Sequence, residues 1–163
     1  MSAVPAELGA LERLVATEEI RALIASYAIL YDDKDWDAFA ELWTEDAAFV
    51  VGETAFEPRD AMLEFLTTCL PEDYDGKHLC GPSLIEVAPD GETATAKTDV
   101  VWIPQNFENT IVARYVDDLV RVDGRWRFRR RLEVVVPYKP GPPPQSDAAT
   151  GVSGATMRTS EGA

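Results

Sequence analysis

The sequence has one histidine, two cysteines, and only 15 lysines and arginines against 29 aspartates and glutamates. A single imidazole is too few for a histidine-rich metal centre. Cys69 and Cys80 have neither CxxC spacing nor the companions that a zinc site or disulfide framework requires. Both thiols are expected to be buried, and no metal or cofactor is expected. The formal charge of −14 works against polyanionic partners, because affinity for nucleic acid comes largely from Lys and Arg neutralising phosphates. Anionic membrane surfaces are disfavoured for the same reason. No segment reaches the roughly 20 apolar residues of a membrane-spanning helix. The start MSAVPAELGALERL lacks the basic-then-apolar order of a secretory leader, so a cytoplasmic protein is expected. Phosphate-binding glycine loops, the GxSxG turn of serine hydrolases and internal repeats are missing as well.

What remains is the composition of an ordinary globular chain, 163 residues long and 46% hydrophobic. A domain of that length buries about two-thirds of its unfolded surface, enough for a core and a pocket. Ile20, Leu23, Ile24, Tyr27 and Tyr31 recur at three- and four-residue steps and predict one face of a helix. Thr17 is the expected N-cap, with a shorter helix over residues 7–15 leading in. Asp35 is expected to cap a second helix running from Trp36 through Trp43, and residues 47–51 form a short strand. Pro58 opens a third helix with Met62, Phe65, Leu66 and Cys69.

Beyond that helix the pattern becomes extended. Residues 78–87 and 93–103 flank the turn Pro89-Asp90-Gly91, and residues 112–122 and 125–136 flank Asp123-Gly124, which predicts two hairpins. Alternation along the last strand places Trp126, Phe128, Arg130, Leu132 and Val134 on the core side and Arg127, Arg129, Arg131 and Glu133 on a charged outer side. Helices first and hairpins later is an α+β order, with helices packed on one face of a bent antiparallel sheet. Residues 1–138 make one domain, and the Pro/Gly/Ser-rich residues 139–163 are expected to form a flexible tail.

The run ILYDDKDW takes an apolar helix straight into a cluster of carboxylates. At 100° per residue Asp32 falls beside Ala28 on the flank of the apolar face, whereas an Asp-rich turn ordinarily only solvates a junction. His78 opens a strand, on the same face as Cys80 and Pro82 by alternation. Its side chain is the one whose ordinary pKa allows proton exchange near neutrality. An aspartate bonded to one imidazole nitrogen fixes the tautomer and makes the other nitrogen more basic. Asp32 and His78 therefore matter as a pair. The regularly spaced Trp36, Trp43, Trp126 and Phe128 read as core.

Three stretches, YAILYDDKDWDAFAELWTEDAAFV, KHLCGPSLIEV and RYVDDLVRVDGRWRF, resemble the SnoaL-like branch of the NTF2-like superfamily over roughly residues 10–137. The resemblance implies a cone-shaped α+β barrel in which helices close a strongly curved sheet around one deep pocket. Members with this histidine and aspartate include scytalone dehydratase and bile-acid 7α-dehydratase. By that likeness Tyr31 and Asp32 line the pocket, His78 is the base and Tyr27 is a pocket tyrosine. Val51 and Gln105 stand where scytalone dehydratase has a second tyrosine and a second histidine, and Trp102 stands near an extra acid of the bile-acid enzyme.

The implied chemistry is cofactor-independent proton abstraction beside a carbonyl of a hydrophobic cyclic molecule, by a dehydratase, isomerase or cyclase. Tyr31, with Tyr27 or Tyr115, would hold the enolate oxygen, and Trp102, Gln105 and Tyr115 would form the pocket wall. The likeness also implies a homo-oligomer, dimer or trimer, formed through the outer sheet face. Two other readings fit the same family: a non-catalytic binding or assembly module, and the small subunit of a ring-hydroxylating oxygenase, whose partner chain holds the iron.

Overall fold

A computed structural model describes residues 8–137, so the expected tail over 139–163 lies outside the described residues. The chain opens with one helix, α1 (Ala10–Asp32), instead of the two expected. Thr17 does not cap it; its hydroxyl donates to the carbonyl of Arg13, four residues back, as mid-helix threonines do. The start is marked by Gly9, whose N–H donates to the Glu12 carboxylate at 2.8 Å. Leu11 and Leu14 are exposed, so the buried stripe begins at Ala16 and continues through Ile20, Leu23, Tyr27 and Tyr31 to Asp32.

Lys34, with φ of 57°, ends that helix in the left-handed region, and Asp35 accepts from the Ala38 N–H to cap α2 (Trp36–Ala40). This helix is shorter than expected because Trp43 opens β1 (Trp43–Val51), pairing with Phe128 and packing on its ring at 5.0 Å. β2 (Thr54–Phe56), absent from the sequence reading, folds back on β1 before α3 (Arg59–Cys69).

Four strands follow: β3 (Gly76–Val87), β4 (Thr93–Pro104), β5 (Ile111–Val122) and β6 (Arg125–Val135). The β5–β6 turn has Asp123 at φ 51° and Gly124 at φ 74°, the paired positive values of a tight two-residue hairpin. The six strands form one unclosed, curved sheet in the order β2-β1-β6-β5-β4-β3, with the helices packed against it. It is not wholly antiparallel: β1 runs parallel to β6. The chain reverses at every hairpin but keeps its direction through α3, which leaves an even number of reversals between those two strands.

Two irregularities decide which side chains face inward. In β3, Cys80 pairs with Val100 and Ser83 with Thr98, so Gly81 and Pro82 together oppose Asp99. His78 and Cys80 stay half-buried while Pro82 turns out to solvent, contrary to the shared face expected for all three. In β6, Phe128 pairs with Leu119 and Arg130 with Asp118, which leaves Arg129 unpaired. One extra residue in a strand reverses the alternation after it. Arg131 and Glu133, expected outside, therefore face the core, and Val134 is 46% exposed.

Arg131 is fully buried and forms a bidentate pair with the equally buried Asp117 at 2.7 and 2.8 Å. Its guanidinium lies 4.0 Å from the ring centres of both Tyr27 and Tyr115, a cation set in the corner formed by two rings inclined at 72°. Burial works against the charge, but Asp117 outweighs it and holds the Arg131 pKa above its ordinary value. Removing one partner strands the other's charge in the core. Asp117→Ala is thus expected to cost about 3–5 kcal/mol in urea unfolding, and Asp117→Leu with Arg131→Met far less, because a well-packed apolar pair leaves no uncompensated charge.

Candidate active site

The concave side of the sheet and helices α1 and α3 enclose a cavity of about 130 Å³. That is close to the ~150 Å³ of an engineered apolar cavity that accepts benzene, so the space suits a single ring. Tyr27 and Tyr31 line it from α1 and Cys69 from α3; His78, Trp102, Tyr115 and Glu133 line it from the sheet.

The acidic cluster after Tyr31 divides by function. Asp33 is exposed and pairs with Lys77 at 3.2 Å, and Asp35 caps α2. Asp32, the last residue of α1, turns inward and is 8% exposed. One of its oxygens accepts from the His78 ring Nδ1 at 2.6 Å and the other from the His78 backbone N–H at 2.8 Å. A carboxylate engaged this way only accepts, so a proton sits on Nδ1, and in the neutral ring it is Nε2 that has the lone pair. Both side chains are almost fully buried. Tyr27 and Tyr31 stand edge-on to the imidazole, and Trp102 is its neighbour across the β3–β4 register.

The indole of Trp102 lies over Gly76, where an added Cβ would come within 2.5 Å of the ring. Tyr31 spends its hydroxyl hydrogen on the Leu66 carbonyl at 3.1 Å. Burial holds all three tyrosines as neutral phenols: Tyr27 is pushed up to about 12, with Arg131 partly offsetting the effect, and Tyr31 and Tyr115 lie above the ordinary tyrosine range. Phenols in that state are hydrogen-bond donors.

Three residues expected at the pocket are not among those lining it: Val51, Gln105 and Asp32, which reaches it only through His78. Val51 is half-buried at the end of β1, paired with Thr54 and Glu133, and Gln105 is exposed, reaching the Asp73 carbonyl at 3.4 Å. The cysteines are less buried than expected: Cys69 is exposed at the end of α3 and Cys80 is intermediate. Among the described residues, no group of three or more His, Cys, Asp or Glu side chains is arranged to hold a metal ion. No described helix is long and apolar enough to cross a membrane.

The residue that sequence reasoning missed is Glu133, which the Arg129 bulge carries into the cavity. The run Arg129-Arg130-Arg131, which interrupts the alternation, is the only trace of it in the sequence. Burial raises its pKa above 4.5, with His78 and Arg131 partly opposing. The unfolded chain therefore loses this proton at lower pH than the native state, and native stability falls as pH rises from 4.5 through the folded value. Glu133→Gln is expected to raise the melting temperature at neutral pH, with the gain shrinking to nothing in acid; thermal melts of both proteins across pH 4–8 measure it.

The SnoaL-like domain model matches residues 12–132. No curated protein sequence matches the chain. Among solved structures, an NTF2-like protein with a cystatin-like fold from Novosphingobium aromaticivorans is 30% identical, covering 77% of this chain and 85% of its own, with a TM-score of 0.67. Rv3472, a function-unknown protein from Mycobacterium tuberculosis, is 26% identical over 79% of this chain and 77% of its own, with a TM-score of 0.69. A candidate scytalone dehydratase from Novosphingobium aromaticivorans shares the fold at 21% identity, 77% and 87% coverage and a TM-score of 0.67. With its helices packed on a curved six-stranded sheet and a family model matching nearly all of its described residues, the chain belongs to the SnoaL-like family of the NTF2-like superfamily.

Proposed function

We propose that this SnoaL-like protein is a cofactor-independent acid–base enzyme acting on a hydrophobic cyclic carbonyl compound, as a dehydratase, isomerase or cyclase. The observation that supports this reading is the double hydrogen bond from His78 to Asp32 beside a ring-sized cavity lined mainly by apolar and aromatic side chains. His78 Nε2 takes a proton from the carbon next to the carbonyl, and Asp32 stabilises the imidazolium that forms. The enolate oxygen is held by phenol donors in a site largely screened from water, where such bonds are stronger. Tyr27, toward whose oxygen the Tyr115 hydroxyl is directed, suits this better than Tyr31, whose hydrogen is already given to Leu66. Trp102 supplies a flat wall for the ring. The fold shared with a candidate scytalone dehydratase agrees with this chemistry.

The test is turnover of a panel of cyclic hydroxyketones followed by water loss. His78→Ala is expected to lower the rate ~10²–10⁴-fold, the usual worth of a positioned base. Asp32→Asn, which keeps the shape but no longer dictates the tautomer, is expected to lose a comparable factor. Full turnover without the imidazole overturns the reading in favour of a binding module.

Assembly and location belong to the same proposal. Leu79, Val101 and Val112 form a row across the outer face of β3 to β5 that Val136, just past β6, continues, with Leu79 58%, Val112 46% and Val136 55% exposed. A second copy of the chain covers this row, since an uninterrupted apolar strip is costly to leave in water. Sedimentation is expected to give a homo-oligomer that Val112→Asp converts to monomer; a monomeric parent protein contradicts it. Two free thiols accord with a reducing, cytoplasmic setting.

A further inference from the structure

We infer that Glu133 is a catalytic residue, the acid that protonates the departing hydroxyl, and that the substrate is accordingly a cyclic β-hydroxyketone that loses water. This inference rests on His78 being the base. Glu133 enters the same cavity as His78 from a different strand, in the register row that joins Tyr115 of β5 to Val51 of β1. The titratable groups facing it are Tyr27 and Tyr31 from α1, Cys69 from α3, His78 from β3 and Tyr115 from β5, with Arg131 on its own strand.

Two carboxyls thus serve the cavity from opposite surroundings, Glu133 as part of its lining and Asp32 from behind His78. Asp32 receives two N–H donors, both from His78. Burial raises the Glu133 pKa above the ordinary carboxyl value and the Arg131 charge partly offsets this, with no hydrogen bond from the protein among those influences. Two acids in unlike surroundings suit unlike roles, one tied by N–H donors to the imidazole and the other left free to give a proton.

The electrostatics also set the order of events. When His78 Nε2 takes the α-proton, the C–H bond breaks and the electron pair passes to the carbonyl oxygen as an enolate. The imidazole is now a cation near Glu133, and that charge lowers the carboxyl's hold on its own proton. The enolate collapses, the bond from the β-carbon to oxygen breaks, and the Glu133 proton leaves with that oxygen as water. The products are an enone and water, with imidazolium and carboxylate left in the protein. Passage of the proton from His78 to Glu133 restores both. Isomerisation needs no such donor, so this acid favours elimination.

The experiment compares 3-hydroxycyclohexanone with 3-acetoxycyclohexanone, whose acetate departs without needing a proton. Both are followed by enone absorbance, with deuterium exchange at the α-carbon followed by NMR in the same samples. Glu133→Gln is expected to lose ~100-fold on the hydroxy compound and less than about threefold on the acetoxy compound, while α-exchange continues. That split is the mark of a proton donor, because a damaged fold slows both compounds alike. Equal loss on both, or no loss on either, overturns the role of Glu133 and leaves the base intact. So does wild-type exchange, abolished by His78→Ala, without elimination of the hydroxy compound. If the wild-type protein neither exchanges nor eliminates, the reading of His78 as base fails and this inference fails with it.

Discussion

The carboxylate of Asp32 accepts from both the ring and the backbone nitrogen of His78, at 2.6 and 2.8 Å, and so fastens the last turn of α1 to the first residues of β3. The contact joins segments 46 positions apart in sequence, so it forms only when the long helix lies correctly across the sheet. Everything at the cavity depends on it. It fixes which nitrogen of the single histidine carries a proton, it removes a carboxylate from solvent with both oxygens satisfied, and it brings the Tyr27 and Tyr31 rings edge-on to the imidazole. An aspartate at a helix C-terminus faces the negative end of the helix dipole, an unfavourable place for an anion. The two N–H donors supply the compensation.

Beside this mainly apolar pocket the interior holds a buried ion pair. Arg131 and Asp117 are both fully buried, and their mutual pairing is what makes either tolerable. With Tyr27 of α1 and Tyr115 of β5 both against it, the guanidinium serves as a post between helix and sheet. Glu133 has no such partner, and its ionised form opposes folding. Proteins ordinarily remove groups of this kind from the interior, and a retained one accords with the trade between stability and activity seen at working sites.

Much of this was legible from the residue pattern, because the relevant patterns are local. The three- and four-residue spacing through Tyr31 placed Asp32 at the edge of the buried stripe, and the two Gly-containing turns marked the hairpins. What escaped depends on events between strands. Trp43 reads as the end of a helix until its pairing with Phe128 is known. The parallel match of β1 with β6 has no signature in either segment. Above all, one unpaired residue at Arg129 exchanges the two faces of the rest of β6, so an argument from strict alternation sent Arg131 and Glu133 to the solvent. Val51 and Gln105 were placed by correspondence with relatives, and correspondence does not fix where a strand end or a connecting loop comes to lie.

The indole of Trp102 occupies the room that a side chain at position 76 would take. Cavity breadth is therefore governed in part by an atom that is missing two residues before the histidine, acting through the indole wall that it leaves in place. A lineage could adjust what this chamber admits by enlarging residue 76 alone, tilting one aromatic panel while the reacting nitrogen and its anchor kept their chemistry.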